Sequence, residues 1–238
     1  MSSPPDKLLH DIIDIIADLK PDAGGNVRLP TERALAERLS AQRTTIRERL
    51  STLEALGFIE RTQGSGTYLS LPRSDFVQMY FETALKLGYV QIDEMQDAME
   101  MIFREVAAAA AVNADADNIA AMETALGTVA ESATLDSLIE AQFGFLQTLA
   151  RAAHNPVILL MIDGLAVVVR EILRRRLRLL RMVSGAVNHN IDAHRNVINA
   201  IRDREPDIAQ SAINDYFWLW KREAAKVSML YVGFDDEA

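Results

Sequence analysis

The sequence predicts a mainly α-helical protein: an N-terminal winged helix-turn-helix with a short β-hairpin, then an all-α helical bundle. Three observations carry this. Up to residue 56, apolar residues recur at helical spacing in three stretches separated by breaks. Two short β-type runs then flank a glycine-bearing turn. Beyond residue 74 the long stretches keep helical spacing and no strand pattern competes. The expected boundaries are residues 1–71 for the winged helix-turn-helix, 72–75 for a linker and 76–238 for the bundle.

The first helix is expected from Asp6 to Leu19, with Leu8, Leu9, Ile12, Ile13, Ile16 and Leu19 at helical spacing. Pro21 and Gly24-Gly25 break it. Thr31 is a good N-cap for a second helix through Leu39, and Glu32 suits its first turn. A tight break at Ser40–Gln42 precedes a third helix over Arg43–Leu56, stopped by Gly57. Phe58–Arg61 and Thr67–Ser70 form the hairpin around Thr62-Gln63-Gly64-Ser65-Gly66. Leu71-Pro72-Arg73-Ser74 reads as the linker. Leu35, Leu39, Ile46, Leu50, Leu53 and Leu56 are core candidates.

Seven helices are expected after the linker, over 75–87, 92–112, 115–131, 135–153, 156–182, 191–204 and 206–230. Gly88 ends the first. Asn155-Pro156 supplies a cap and a first-turn proline to the fifth. Ser184-Gly185 opens a loop, and Pro206 starts the last. The alanines at 107–111 suit close helix packing.

Composition narrows the function. Hydrophobic residues make up 49% and charged residues 25%, enough apolar content for a packed core. There is no cysteine, which excludes disulfides, thiolate metal sites and a cysteine nucleophile. The N-terminus has no basic lead-in of a secretory signal. The longest nearly apolar run, Val157 to Val169, is short of the ~20 residues a membrane span needs. A cytoplasmic protein is expected. The net charge of −9 is unevenly spread. Residues 1–73 hold ten Lys/Arg and ten Asp/Glu, so the acidic excess lies in the second segment. A neutral first segment binds phosphate when its basic residues share one face.

In a winged helix-turn-helix the third helix enters the major groove with its N-terminal end foremost. Arg43, Thr44, Thr45 and Arg47 stand there. Arginine makes a bidentate contact to guanine, and threonine meets phosphate or a thymine methyl. Arg33 is placed to hold the backbone. Gly64 and Gly66, with Ser65 between them, let the wing tip approach the duplex.

Four blocks occur in order: Leu29-Pro30-Thr31-Glu32-Arg33-Ala34-Leu35-Ala36, Arg43-Thr44-Thr45-Ile46-Arg47-Glu48, Leu53-Glu54-Ala55-Leu56-Gly57-Phe58-Ile59 and Gln63-Gly64-Ser65-Gly66-Thr67. Together they resemble the N-terminal domain of the GntR family of bacterial regulators. The resemblance covers roughly residues 5–71 and implies that Arg33, Arg43, Thr44, Arg47 and Gly64 contact DNA. Gln42 departs from the serine or threonine common at its position. Glutamine caps poorly, so a base or phosphate contact is its other use. Gln63, at the wing tip, is placed to read the minor groove.

The helical part looks like the FCD ligand-binding domain of the family's FadR branch. The likeness rests on its length, its helix count, the segment Phe143…Ala152-Ala153-His154-Asn155-Pro156 and the segment Asp192–Ile201. Many such domains hold a divalent metal on one aspartate and three histidines. Carried over, those positions are Gln142, Leu146, His194 and Tyr216, and only His194 keeps a ligand type. No metal and no other cofactor is therefore expected. A lone histidine on an apolar helix is either a hydrogen-bonded core residue or, with Gln142 and Tyr216, a contact to an organic effector beside an apolar wall at Leu146. Arg170, Arg174, Arg175, Arg176, Arg178 and Arg181 are either solvated or, like Arg104, available to an anionic group. Arg104, Arg170 and Arg174 are the effector candidates among them. Trp218 and Trp220 suit ordinary packing, a cavity wall or a dimer face.

The expected protein is a repressor-like regulator. A homodimer spans a palindromic site with half-sites one helical turn, ~34 Å, apart, and a small organic effector shifts its operator affinity through the linker. The competing class is a winged-helix protein-interaction module. An enzyme is not expected: there is no G-x-S-x-G, no H-E-x-x-H and no pair of histidines at metal spacing. His189 and His194 are five apart, which does not place them on one helix face. Glu140, Asp163 and Glu171 are candidate buried acids that nothing pairs.

Overall fold

The computed structural model describes residues 6–70, 73–180 and 186–218, without the side chains of 179–180 and 186–190. Leu71-Pro72, Arg181, Ser184-Gly185, Trp220, the expected helix beyond 218 and the side chain of His189 lie outside the described residues. The chain divides into two compact units, Met1–Phe76 and Val77–Ala238.

In the first unit, α1 spans Lys7–Ala17, opened by Asp6, whose carboxylate accepts the Leu9 N–H. It stops two residues before Leu19 because Asp18 already turns the chain. Helix α2, Glu32–Leu39, starts on Thr31, whose hydroxyl accepts the Ala34 N–H at 3.2 Å. It ends at Ser40, in the left-handed region at φ +51°. The following Ala41 N–H returns to the Ala36 carbonyl, which closes the tight turn into α3, Arg43–Ala55. Gln42 gives α3 no side-chain cap, as expected of glutamine. Gly57, at φ +79°, lets the Phe58 N–H reach back to the Leu53 carbonyl.

Strands β1, Ile59–Thr62, and β2, Gly66–Leu69, pair antiparallel with Ile59 opposite Leu69 and Thr62 opposite Gly66. Val27–Leu29 adds to the other side of β2, with Leu29 N–H to the Thr67 carbonyl and Leu69 N–H to the Val27 carbonyl. Ile12, Ile15, Ile16, Leu29, Leu35, Ile46, Leu50, Leu53 and Ile59 form the core, while Leu39 is only half-buried at its margin. Leu56 joins Leu9, Ile13, Phe58 and Leu69 around an apolar groove of about 350 Å³.

After the hairpin come α4 (Asp75–Lys86), all but its first two residues in the second unit, then α5 (Ile92–Asn113), α6 (Ala116–Glu131), α7 (Leu135–Ala152), α8 (Pro156–Gly164), α9 (Ala166–Leu180), α10 (Ala186–Arg202) and α11 over residues 206–218. The starts are local in origin. Glu94 reaches back to the Gln91 N–H, Asp115 and Asn118 cap each other, and Asn155 accepts from Val157 and Ile158. Gly88, at φ +72°, lets the Tyr89 N–H close on the Ala84 carbonyl after α4.

In the bundle two expected helix bounds change. The single helix over 156–182 is broken at Leu165. Gly164 stands at the break, where it weakens helical continuity. Helix α10 begins at Ala186, before the expected 191. Helix α7 is the centre of the bundle, packed against α5, α6, α8 and α9. Ala107, Ala110 and Ala111 of α5 are fully buried, so their small side chains allow close helix approach. Phe103 is fully buried and meets Phe217 with ring centroids 6.0 Å apart.

Truncating Phe103 leaves a cavity in that core. Phe103→Ala is expected to destabilise the bundle by about 3–5 kcal/mol, read as a lowered urea midpoint of helical circular dichroism.

Candidate nucleic-acid interface and buried polar core

Helix α3 buries Ile46, Leu50 and Leu53 on one side, so the intervening residues face water. Arg43, Thr44 and Arg47 are exposed and Thr45 is half-buried; Gln42, just before the helix, is exposed as well. Arg33 is exposed on α2, loosely paired with Glu37 at 3.6 Å. Arg47 is held differently. Its guanidinium meets both oxygens of Glu32, with Nε at 3.0 and 3.2 Å and Nη2 at 2.8 Å. The hydrogen bond from Arg47 holds the Glu32 carboxyl below its ordinary value. The same bond raises Arg47. Arg61 of β1 donates to the Arg47 carbonyl and to Ser51, and pairs with Glu54, which ties the hairpin to α3.

The wing tip is Gln63-Gly64-Ser65, exposed throughout, with Gly64 at φ +76°. Gly66 stands at φ +132°, and a Cβ there would meet the Arg28 guanidinium at 2.9 Å. That guanidinium donates to the Ser65 carbonyl at 2.7 Å, and the Ser65 hydroxyl meets the Tyr68 hydroxyl at 2.8 Å. Arg28, Arg61 and the Arg47–Glu32 contact were not foreseen as parts of the interface. Val27–Leu29 is too short to show alternation, and 15 positions separate Glu32 from Arg47.

In the second unit Gln142 on α7, His194 on α10 and Tyr216 on α11 come together, fully or almost fully buried beside Leu146. The His194 ring stands edge-on to Phe145 at 4.4 Å and to Tyr216 at 4.8 Å. Tyr216 donates to Gln142 Oε1 at 3.3 Å. The other end of that amide, Nε2, is buried without a hydrogen-bond partner among the described residues. Burial pushes the Tyr216 phenol up to about 12, against the opposing charge of Arg176. These positions do not fit a metal. Leu146 has no donor atom, the tyrosine stays protonated, and its hydroxyl is engaged with the glutamine. Among the described residues no three His, Asp or Glu side chains converge as a metal would need.

The arginines sort themselves. Arg104, on α5, is exposed beside Glu105. Arg170 pairs with Glu140 and lies over the Phe143 ring at 4.2 Å. Arg174 and Arg175 share Glu171, and Arg178 is exposed. The structure therefore leaves Arg104, Arg170 and Arg174 outside the polar core. Nor are the three acids buried: Glu140 is exposed, Glu171 is partly exposed with its arginines, and half-buried Asp163 accepts from Gln147. Trp218 is 65% exposed, so it does not line the core. Among the described residues Arg176 is the buried one, 6% exposed. It reaches Glu100 at 3.3 Å and Gln96 at 3.4 Å from α9 to α5, and lies 5.1 Å from the Phe217 ring centroid. Burial lowers its pKa, with Tyr216 and Glu100 acting the other way. The five arginines of α9 look alike in sequence, and only packing separates this one.

Comparison with known proteins follows the same division. Residues 21–69 match the bacterial regulatory proteins of the gntR family, and residues 94–217, more than half of the chain, match the FCD domain. The HTH-type transcriptional regulator LutR of Bacillus subtilis is 26% identical over 178 residues, covering 73% of this chain and 80% of that one. The fatty acid metabolism regulator protein of Edwardsiella ictaluri is 29% identical over 140 residues, 58% of each chain. A solved structure of a Streptococcus agalactiae GntR protein shares the fold with a TM-score of 0.63 at 24% identity, covering 91% of this chain and 96% of that one.

The raised Tyr216 value has a consequence for stability. Its contribution is fully present below the ordinary tyrosine value of 10.0 and is lost as pH rises towards about 12. Urea unfolding at stepped pH is expected to show a steeper loss between pH 10 and 12 in the wild type than in Tyr216→Phe.

Proposed function

From the premise that the chain belongs to the GntR family and carries its FCD domain, we propose that it is a cytoplasmic homodimer that represses from a palindromic operator. It is a DNA-binding transcriptional regulator with a ligand-binding effector domain, not an enzyme. The observation that carries the operator reading is the exposed cluster of Arg33, Arg43, Thr44 and Arg47 around the start of α3. In this reading Arg43, Arg47 and Gln42 enter the major groove with Thr44 and Thr45. Arg33 holds a phosphate, and Gln63, Gly64, Ser65 and Gly66 approach the minor groove.

The effector is a small, partly apolar organic anion bound without a metal. Gln142 Nε2 is an open buried donor, and leaving such a group unmet costs about 1–3 kcal/mol. Phe145, Leu146 and Phe103 supply apolar surface, and Arg176 supplies the charge. The effector's anionic group competes with Glu100 for Arg176. Since that pair joins α5 to α9, the exchange favours one arrangement of the bundle over another, which any effect on DNA affinity requires.

The first measurement is fluorescence anisotropy with the intergenic DNA upstream of its own gene, across a salt series, with and without organic acids and acyl compounds. Saturable binding at one palindrome, weakening steeply with salt and changed by one compound, is expected. Sequence-blind binding, or none, would favour a protein-interaction module instead. Arg43→Ala is expected to lower operator affinity by about 1–3 kcal/mol with the helical signal unchanged. Arg176→Met is expected to keep operator affinity and lose the response to the acid, and a chelator to leave that response intact.

A further inference from the structure

Arg47 and Glu32 meet across the angle between α3 and α2. All of Arg47's bonds to Glu32 come from Nε and Nη2. They use one edge of the planar guanidinium. Nη1 makes no hydrogen bond among the described residues, and the side chain is 59% exposed. Glu32 is the anchored partner at 23% exposure. It rises from the first turn of α2, where the helix end favours negative charge. Arg61 fixes the α3 backbone from the other side, through the Arg47 carbonyl.

The edge that is used separates two roles. A carboxylate that only neutralises an arginine must leave before DNA can bind. A carboxylate on the Nε/Nη2 edge leaves the Nη1/Nη2 edge for a second bidentate partner, and guanine O6/N7 is the base edge that pairs with an arginine fork. We infer that Glu32 is a positioning residue for base recognition, which stays on Arg47 in the DNA complex and sets the guanidinium plane that reads one guanine in each half-site. This rests on the operator reading above. Without Glu32, Arg47 regains its rotamer freedom and is drawn to phosphates, which favours every sequence alike. No comparable support holds the other arginines of the face. Among the described residues Arg33 pairs only with Glu37 on its own helix, both side chains more than 70% exposed, and Arg43 has no ion pair.

The test is selection from a random duplex library by full-length wild type, Glu32→Gln and Arg47→Lys. Anisotropy then follows on the selected duplex and its single-base variants across a salt series. The wild type is expected to select a motif with one strongly preferred guanine per half-site. Both variants are expected to lose that preference at the same position, by roughly tenfold. The salt slope of Glu32→Gln is expected to be no shallower than the wild type's, because the positive charge remains. Tighter binding of all sequences by Glu32→Gln with the guanine preference kept would overturn the inference, since Glu32 would then be only a competitor. Losses at different positions in the two variants would overturn it as well. If the wild type selects no motif, the operator reading fails and this inference with it; a wild-type motif left unchanged by Glu32→Gln defeats this inference alone. Glu32→Asp keeps the charge but shortens the reach to Arg47 Nε and Nη2, so it carries the test if Glu32→Gln loses its fold: a guanine preference as strong as the wild type's would overturn the inference.

Discussion

The apolar seam beneath α3 is what the DNA-facing surface depends on. Ile46, Leu50 and Leu53 seat the helix on Ile12, Ile16 and Leu35 of the same core, and Ser40 in its left-handed conformation fixes where α3 leaves α2. Once that side is buried, helical periodicity turns Arg43, Thr44 and Arg47 outward. The angle between α2 and α3 also brings Glu32 within reach of Arg47. Polar contacts then hold the remaining parts to this frame: Arg61 joins the hairpin to α3, and Arg28 props the wing from the adjoining strand-like segment. The net charge of the chain matters less than this arrangement, because a field acts through the residues that share a face.

The bundle solves a different problem. Most of α7 is buried among its neighbours, and such a centre is most simply stabilised by apolar side chains. Gln142, His194, Tyr216 and Arg176 break that rule together. Burying an ion-paired charge is weak evidence for stability, because desolvation offsets the attraction. An amide with an open donor is a net cost. A polar seam of this kind in a close-packed bundle is consistent with a domain whose work is to hold a ligand, and it separates this chain from a core built only to fold.

Much of the fold was legible because its signals are local. The caps at Thr31 and Asn155 and the glycine stops at Gly57 and Gly88 depend on a few neighbouring residues, and the elements start and stop there. The break at Leu165 was not legible, since Val157–Val169 is apolar on both sides of it. The third segment of the wing sheet was missed because three residues show no period. In the candidate site, the arginines of α3 were recognisable from their order and spacing. The division of the α9 arginines was not, since five basic residues on one helix differ only in what packs against them.

By itself the sequence determined the two-part plan, the family likeness of each part and the replacement of the metal-ligand positions by Gln142, Leu146 and Tyr216. Each of these follows from residue identity at near neighbours or at set spacings. Only the tertiary structure decided that Arg176 and not Arg170 or Arg174 is buried, that Tyr216 meets Gln142 across 74 positions, and that Glu32 grips Arg47 across 15. Those facts depend on which helix faces meet. Side chains distant in sequence are brought together by packing, and no local pattern records the partner.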